Sequence, residues 1–132
     1  MNLVNRDTDY AIRALCFIAK NRDRIVSVSE LVDKLKIPRP FLRKILQRLN
    51  NEDILHSYKG RGGGFMLARL PQKILLIELI NIFQGEISIK KCLFKRLACP
   101  NQSSCYLKKK LDVIERYVIK ELKSITLASL LR

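Results

Sequence analysis

The sequence predicts a mainly α-helical fold with a small β-hairpin: a winged helix-turn-helix followed by a long C-terminal dimerisation helix. Three observations carry this expectation. A short, serine-capped helix runs into a proline-opened basic helix, four of the five glycines cluster between two strand-like runs, and a heptad-like apolar stripe closes the chain. With 132 residues, 48% apolar and 29% charged, one domain with an appended element is expected.

In order, Ala11, Leu15 and Ile18, flanked by Ala14 and Ala19, recur at helical spacing, so residues 8–20 read as a first helix entered through Asp7 or Thr8. Ser27-Val28-Ser29-Glu30 fits a capping box, with the glutamate reaching back to Ser27, and Val28, Leu31, Val32 and Leu35 form the stripe of a short second helix. Lys36-Ile37-Pro38 breaks it. Pro40 then suits the first turn of a third helix, where its missing amide costs nothing. Phe41, Leu42, Ile45, Leu46 and Leu49 make that helix's apolar face, while Arg39, Arg43, Lys44, Gln47 and Arg48 fall on or near the other.

The runs Ile54–Tyr58 and Phe65–Ala68 flank Lys59-Gly60-Arg61-Gly62-Gly63-Gly64, where glycine supplies the positive φ angles of a turn. A hairpin after a recognition helix is a wing. Pro71 is expected to open a long fourth helix through Ile74, Ile77, Leu79, Ile80 and Phe83, ending at Gly85. From there, Leu107, Leu111, Ile114, Val118, Leu122 and Ile125 recur at steps of three and four. Such a terminal stripe is better buried against a second copy, the alternative being its own core.

Charge narrows the function. Lys and Arg number 26 against 12 Asp and Glu, a net +14 divided equally between residues 1–70 and 71–132. An evenly basic folded domain points to a polyanion, nucleic acid before an anionic membrane surface. The most apolar run, residues 74–83, is too short to span a bilayer, and the N-terminus has no signal-peptide h-region, so a cytoplasmic protein without membrane contact is expected.

Cys92, Cys99 and Cys105 lie within fourteen residues, whereas Cys16 sits among apolar neighbours and reads as a small buried hydrophobe. Three thiols in one segment of a cytosolic chain argue against disulfides and for a metal. Gaps of six and five residues fit zinc poorly without excluding it, and the one histidine, His56, is distant. Three free thiols without a cofactor is the alternative. The surrounding lysines favour thiolates and offset a cluster's negative charge.

No enzyme reading survives. There is no Cys-x-x-Cys, the glycine run lacks the Lys-Ser or Lys-Thr of a phosphate loop, and no base stands near a nucleophile. For double-stranded DNA the parts fit. Arg39, Pro40, Arg43, Lys44 and Arg48 belong to a helix suited to the major groove, and Lys59 and Arg61 to a hairpin that reaches the adjacent minor groove.

The combination of Thr8-Asp9-Tyr10-Ala11-Ile12-Arg13, the helix-turn-helix, Gly60-Arg61-Gly62-Gly63-Gly64-Phe65-Met66-Leu67-Ala68 and three cysteines before a long helix closely resembles the Rrf2 family of bacterial winged-helix regulators, of the IscR and NsrR type. The resemblance runs from about Leu3 to Leu122. It implies a homodimer on palindromic promoter DNA, with a 2Fe-2S or 4Fe-4S iron–sulfur cluster on Cys92, Cys99 and Cys105. IscR-like members take a histidine three residues after the last cysteine, where this chain has Lys108. NsrR-like members use an aspartate of the partner subunit, and Asp9 stands at the matching position. Pro38, Pro40 and Arg43 replace two serines and a glutamate of the IscR pattern, so its operator does not transfer.

The resulting expectation is a transcriptional repressor sensing nitric oxide, redox state or iron–sulfur supply. Its winged domain with connecting helix covers residues 1–85, the cluster-binding loop 86–105, and the dimerisation helix and tail 106–132, with Leu107, Leu111, Ile114, Val118 and Leu122 at the interface. The alternatives are a cluster-free regulator controlled by thiol oxidation or a partner protein, and a zinc-stabilised nucleic-acid-binding adaptor.

Overall fold

The computed structural model describes residues 2–88 and 106–131. Helix α1 spans Arg6–Lys20 and starts earlier than the sequence pattern indicates. Its cap is Asn5, whose side-chain oxygen accepts from the Thr8 amide at 2.9 Å, rather than Asp7 or Thr8. Asp7 and Asp9 then stand in the first turn, where carboxylates meet the positive end of the helix dipole. Ala11, Ala14, Leu15 and Ile18 are fully buried.

Helix α2, Val28–Leu35, has the expected Ser27 cap, its hydroxyl accepting from the Glu30 amide at 3.1 Å. The other half of the capping box is not made. Arg24 takes the Glu30 carboxylate in a two-pronged pair at 2.6 and 2.7 Å, and a guanidinium outcompetes a neutral amide for it. Lys36, in the left-handed conformation, ends α2, and α3 follows over Arg39–Asn51 with Pro40 in its first turn. Leu42, Ile45, Leu46 and Leu49 are buried as expected, but Phe41 stays 40% exposed.

Strands β1, Leu55–Tyr58, and β2, Gly64–Leu67, pair antiparallel with Leu55 opposite Leu67 and Tyr58 opposite Gly64. Val26 adds a rung on the far side of β2, exchanging both backbone bonds with Phe65 at 2.8 and 3.0 Å. That close approach explains Gly64, since a Cβ there would lie 2.2 Å from the Val26 carbonyl oxygen. Gly62, with φ +76°, turns the hairpin.

The helix expected from Pro71 is a correction. Pro71–Lys73 form a single 3-10 turn, Ile74 and Leu75 are extended, and α4 covers only Leu76–Gln84. The cause is non-local. The Ile74 carbonyl accepts from the Leu127 amide at 2.8 Å and the Leu76 amide donates to the Ile125 carbonyl at 3.0 Å, so the C-terminal segment occupies backbone groups that a longer helix would need. Helix α5, Tyr106–Lys123, ends in a turn, and α6, Leu127–Leu130, is closed by a Thr126–Ser129 capping box.

The main core joins α1, α2, α3 and the hairpin, and it includes Leu127 of α6. A second cluster packs Leu76, Ile77 and Ile80 of α4 against Leu122 of α5. The segment from Leu122 to Leu131 is therefore built into the winged domain. Among the described residues no helix is long and apolar enough to cross a membrane.

Candidate nucleic-acid interface

Burial of Leu42, Ile45, Leu46 and Leu49 turns the opposite side of α3 to solvent, and helical spacing puts Arg43, Lys44, Gln47 and Asn51 there together. Arg43 and Lys44 make no ion pair among the described residues, leaving both cations available to a polyanion. Arg48 leans on Glu52 at 3.6 Å, and Arg39 donates to the Ser29 hydroxyl at 3.1 Å, which draws it towards α2. Pro40 is exposed. An open groove of about 610 Å³ runs beside α3, lined by Arg43, Lys44, Gln47 and Arg48 on one side and by Asp7, Ile82 and Phe83 on the other. On the wing, Lys59 and Arg61 are exposed at the tip, and His56, Ser57 and Tyr58 face solvent along β1.

Two contacts that sequence reasoning missed hold this surface in place. The Arg6 guanidinium lies 4.5 Å from the Phe41 ring centre and 5.9 Å from that of Tyr10, fastening the first turn of α1 to the first turn of α3. This contact accounts for the exposed Phe41. Arg69, just after β2, pairs with Glu78 of α4 at 2.8 Å and donates to the Glu52 carbonyl at 3.1 Å, so it ties the end of α3 to α4. Neither link between elements carries a periodic signal, because Arg6 and Phe41 stand on different helices and Glu78 and Glu52 lie nine and 17 residues from Arg69. The amide pair formed by Gln47 and Asn51 does have a local signal, the i, i+4 spacing.

Of the residues expected to hold a cluster, Cys92, Cys99 and Cys105 lie outside the described residues. Asp9 is in the first turn of α1, half-exposed, its carboxylate 3.0 Å from Arg13 one turn later. Cys16 is half-buried beside the main core, and burial pushes its thiol above the ordinary cysteine range against the opposing pull of Lys20.

The apolar stripe of α5 divides. Leu122 is 6% exposed in its own chain and Val118 packs beside it, Leu111 is half-buried, and only Leu107 and Ile114 are open, at 57% and 51%. Tyr106, Val113 and Tyr117 are open beside them. The exposed apolar surface thus belongs to the N-terminal two thirds of α5.

The model of the Rrf2 family, an iron-dependent transcriptional regulator, matches residues 4–132. A putative HTH-type transcriptional regulator of Aquifex aeolicus is 41% identical over 90 residues, which are 68% of this chain and 62% of that protein. The chain thus spans under two thirds of that relative. The regulator NsrR of Bacillus licheniformis is 27% identical over 132 residues, covering 92% of each chain. Among solved structures, CymR, the global cysteine regulator of B. subtilis, matches with a TM-score of 0.77 at 19% identity, over 98% of this chain and 96% of its own. IscR of T. potens matches with a TM-score of 0.67 at 23% identity, over 98% and 85%. Both share the winged-helix architecture built up above, and with the match to nearly the whole chain they lead to one conclusion: this protein belongs to the Rrf2 family of transcriptional regulators.

Proposed function

We propose that the chain is a homodimeric repressor that binds palindromic promoter DNA and changes its affinity with the state of an iron–sulfur cluster. The observation that carries the DNA half is the exposed basic face of α3, on which Arg43 and Lys44 make no ion pair among the described residues, beside an exposed basic wing. Arg43 and Lys44 enter the major groove, Arg39 and Arg48 contact flanking phosphates, Pro40 meets the groove wall, and Lys59 and Arg61 reach the minor groove. Two such helices must sit about one helical turn apart (~34 Å) to read two half-sites. The open face of α5, with Leu107, Ile114, Val113 and Tyr117, supplies the contact between subunits, with Leu111 at its edge.

The sensing half rests on donor chemistry. Cys92, Cys99 and Cys105 offer three thiolates in a lysine-rich stretch, and Asp9, half-exposed at the start of α1, offers a carboxylate to the partner subunit. A cluster bound there would supply reactivity towards nitric oxide and oxidants. The part this chain plays is to hold it and to carry the change to α3, and the Arg6–Phe41 contact joins the helix bearing Asp9 to the recognition helix.

The test is an anaerobic absorption spectrum with iron and sulfide analysis, before and after reconstitution, repeated for Cys92→Ala and Asp9→Ala. A band near ~400 nm that falls with iron and sulfide in the cysteine variant supports the reading. Colourless, iron-free protein under reducing anaerobic conditions would leave a winged-helix regulator controlled by a thiol or a partner protein. One zinc per chain with equal affinity for random DNA and RNA would point to an adaptor instead.

A further inference from the structure

We propose that Gln47 reads an adenine in each half-site and that Asn51 is the residue positioning it. The inference rests on the DNA-binding reading above and deepens it to the base recognised.

Arg43 and Lys44, the cations on the outward face of α3, carry only donors. They suit guanine and phosphate oxygens. Adenine shows the major groove an acceptor, N7, next to a donor, the N6 amino group, and a single side chain can match both only if it carries a donor and an acceptor together. Of the side chains on or near that face that do, Asn50 is half-buried, whereas Gln47 and Asn51 are exposed. They are not equivalent. The Gln47 Nε2 donates to Asn51 Oδ1 at 3.2 Å. One of the two amide hydrogens of Gln47 is thereby used, and what remains is one N–H and the Oε1 carbonyl, the pair that N7 and N6 of adenine require. The same bond fixes which end of the Gln47 amide lies towards the C-terminus of α3. Asn51 has its carbonyl engaged by Gln47, and in that position it orients Gln47 rather than reading adenine itself.

The experiment is selection of duplexes from a randomised library by the full-length protein, purified anaerobically, with wild type, Gln47→Ala, Gln47→Glu and Asn51→Ala compared. Circular dichroism and total affinity for the library check that each variant is folded. We expect the wild-type site to contain an A·T pair preferred over G·C by roughly ten-fold to a hundred-fold. Gln47→Ala should abolish that preference while leaving the rest of the site unchanged. Gln47→Glu, with acceptors only, should move the preference towards cytosine, whose N4 amino group donates. Asn51→Ala should keep the same base at reduced preference. If Gln47→Ala selects the wild-type sequence with the wild-type ratios, the amide pair serves only the helix and the proposal is overturned. If the wild type enriches no sequence at all, the DNA-binding reading fails and takes this one with it.

Discussion

The Thr8 hydroxyl donates to the side-chain carbonyl of Gln84 at 2.7 Å, joining the first turn of α1 to the last residue of α4 across 76 positions of chain. Thr8 is completely buried. The same Gln84 oxygen accepts from the Asn5 amide at 2.8 Å, and its Nε2 donates to the Asn2 carbonyl at 3.0 Å. Thr8→Val, which keeps the shape and removes the donor, should lower unfolding free energy by about 1 kcal/mol. Gln84→Ala leaves the Asn5 amide without its partner, while the Thr8 hydroxyl keeps the Asn5 Oδ1 at 2.9 Å, and should cost about 1–2 kcal/mol. Chemical denaturation checks both, and an unchanged midpoint in Gln84→Ala would contradict this account.

The approach of β2 to Val26 gives a second expectation. Gly64→Ala places a Cβ 2.2 Å from a backbone oxygen that cannot move without breaking the Val26–Phe65 rung. A loss of at least about 2 kcal/mol should follow. At Gly62 an added Cβ meets nothing within 4 Å, so Gly62→Ala carries only the cost of its positive φ, about 1 kcal/mol. Thermal melts of the two variants should rank them in that order.

Arg69 bridges Glu78 and the carbonyl ending α3, and at 32% side-chain exposure the pair is partly screened. Arg69→Lys keeps the charge and loses the fork that reaches both partners. It should destabilise by about 1 kcal/mol. A double-mutant cycle with Glu78→Gln should show coupling, and strictly additive losses would mean that the pair does not act as one unit.

The outcomes at particular residues show why some features were legible in the sequence and others were not. Pro40, Ser27 and the periodic leucines of α3 act on backbone within four residues, so the helix-turn-helix and its basic outward face could be read directly. The glycine cluster likewise announced the wing. What failed had distant causes: α4 starts late because residues 125–127 occupy its entrance, Glu30 leaves its own box for Arg24, and Phe41 is held by Arg6. The stripe of α5 reads as one surface, yet a 3.5-residue repeat cannot tell a partner helix from the chain's own α4, and Leu122 packs on α4.

Cys16 should be a slow nucleophile. Its thiol is raised by burial more than Lys20 lowers it, and only the thiolate attacks, so at neutral pH the reactive fraction falls below that of a free cysteine. Alkylation by iodoacetamide should keep rising with pH beyond the ordinary cysteine range before it levels off. Lys20→Ala should slow it further, since the opposing pull is lost. Mass spectrometry of the Cys16 peptide, native against guanidine-unfolded, measures this, and equal labelling rates in the two states would contradict it.

Because one end of α5 and the α6 that follows it belong to the winged domain while apolar side chains towards the other end of α5 are exposed, substitutions at the two ends should separate stability from assembly. Leu127, 1% exposed among the residues of the main core, fills a space that alanine would leave open, at a cost of about 2–5 kcal/mol. Tyr117, 65% exposed, touches little of its own chain, and Tyr117→Ala should change the stability of a monomer by no more than about 0.5 kcal/mol. If the open face of α5 joins two subunits, the same change removes an aromatic anchor from that contact and raises the dissociation constant of the dimer. Sedimentation velocity across a dilution series, run beside denaturation curves, distinguishes the two effects. Leu127→Ala should lower the denaturation midpoint at every concentration, since its loss is paid within each chain. Tyr117→Ala should shift the monomer–dimer midpoint and lower the denaturation midpoint only where wild-type protein is dimeric. A Tyr117→Ala protein that dimerises as tightly as wild type would place the subunit contact on another surface.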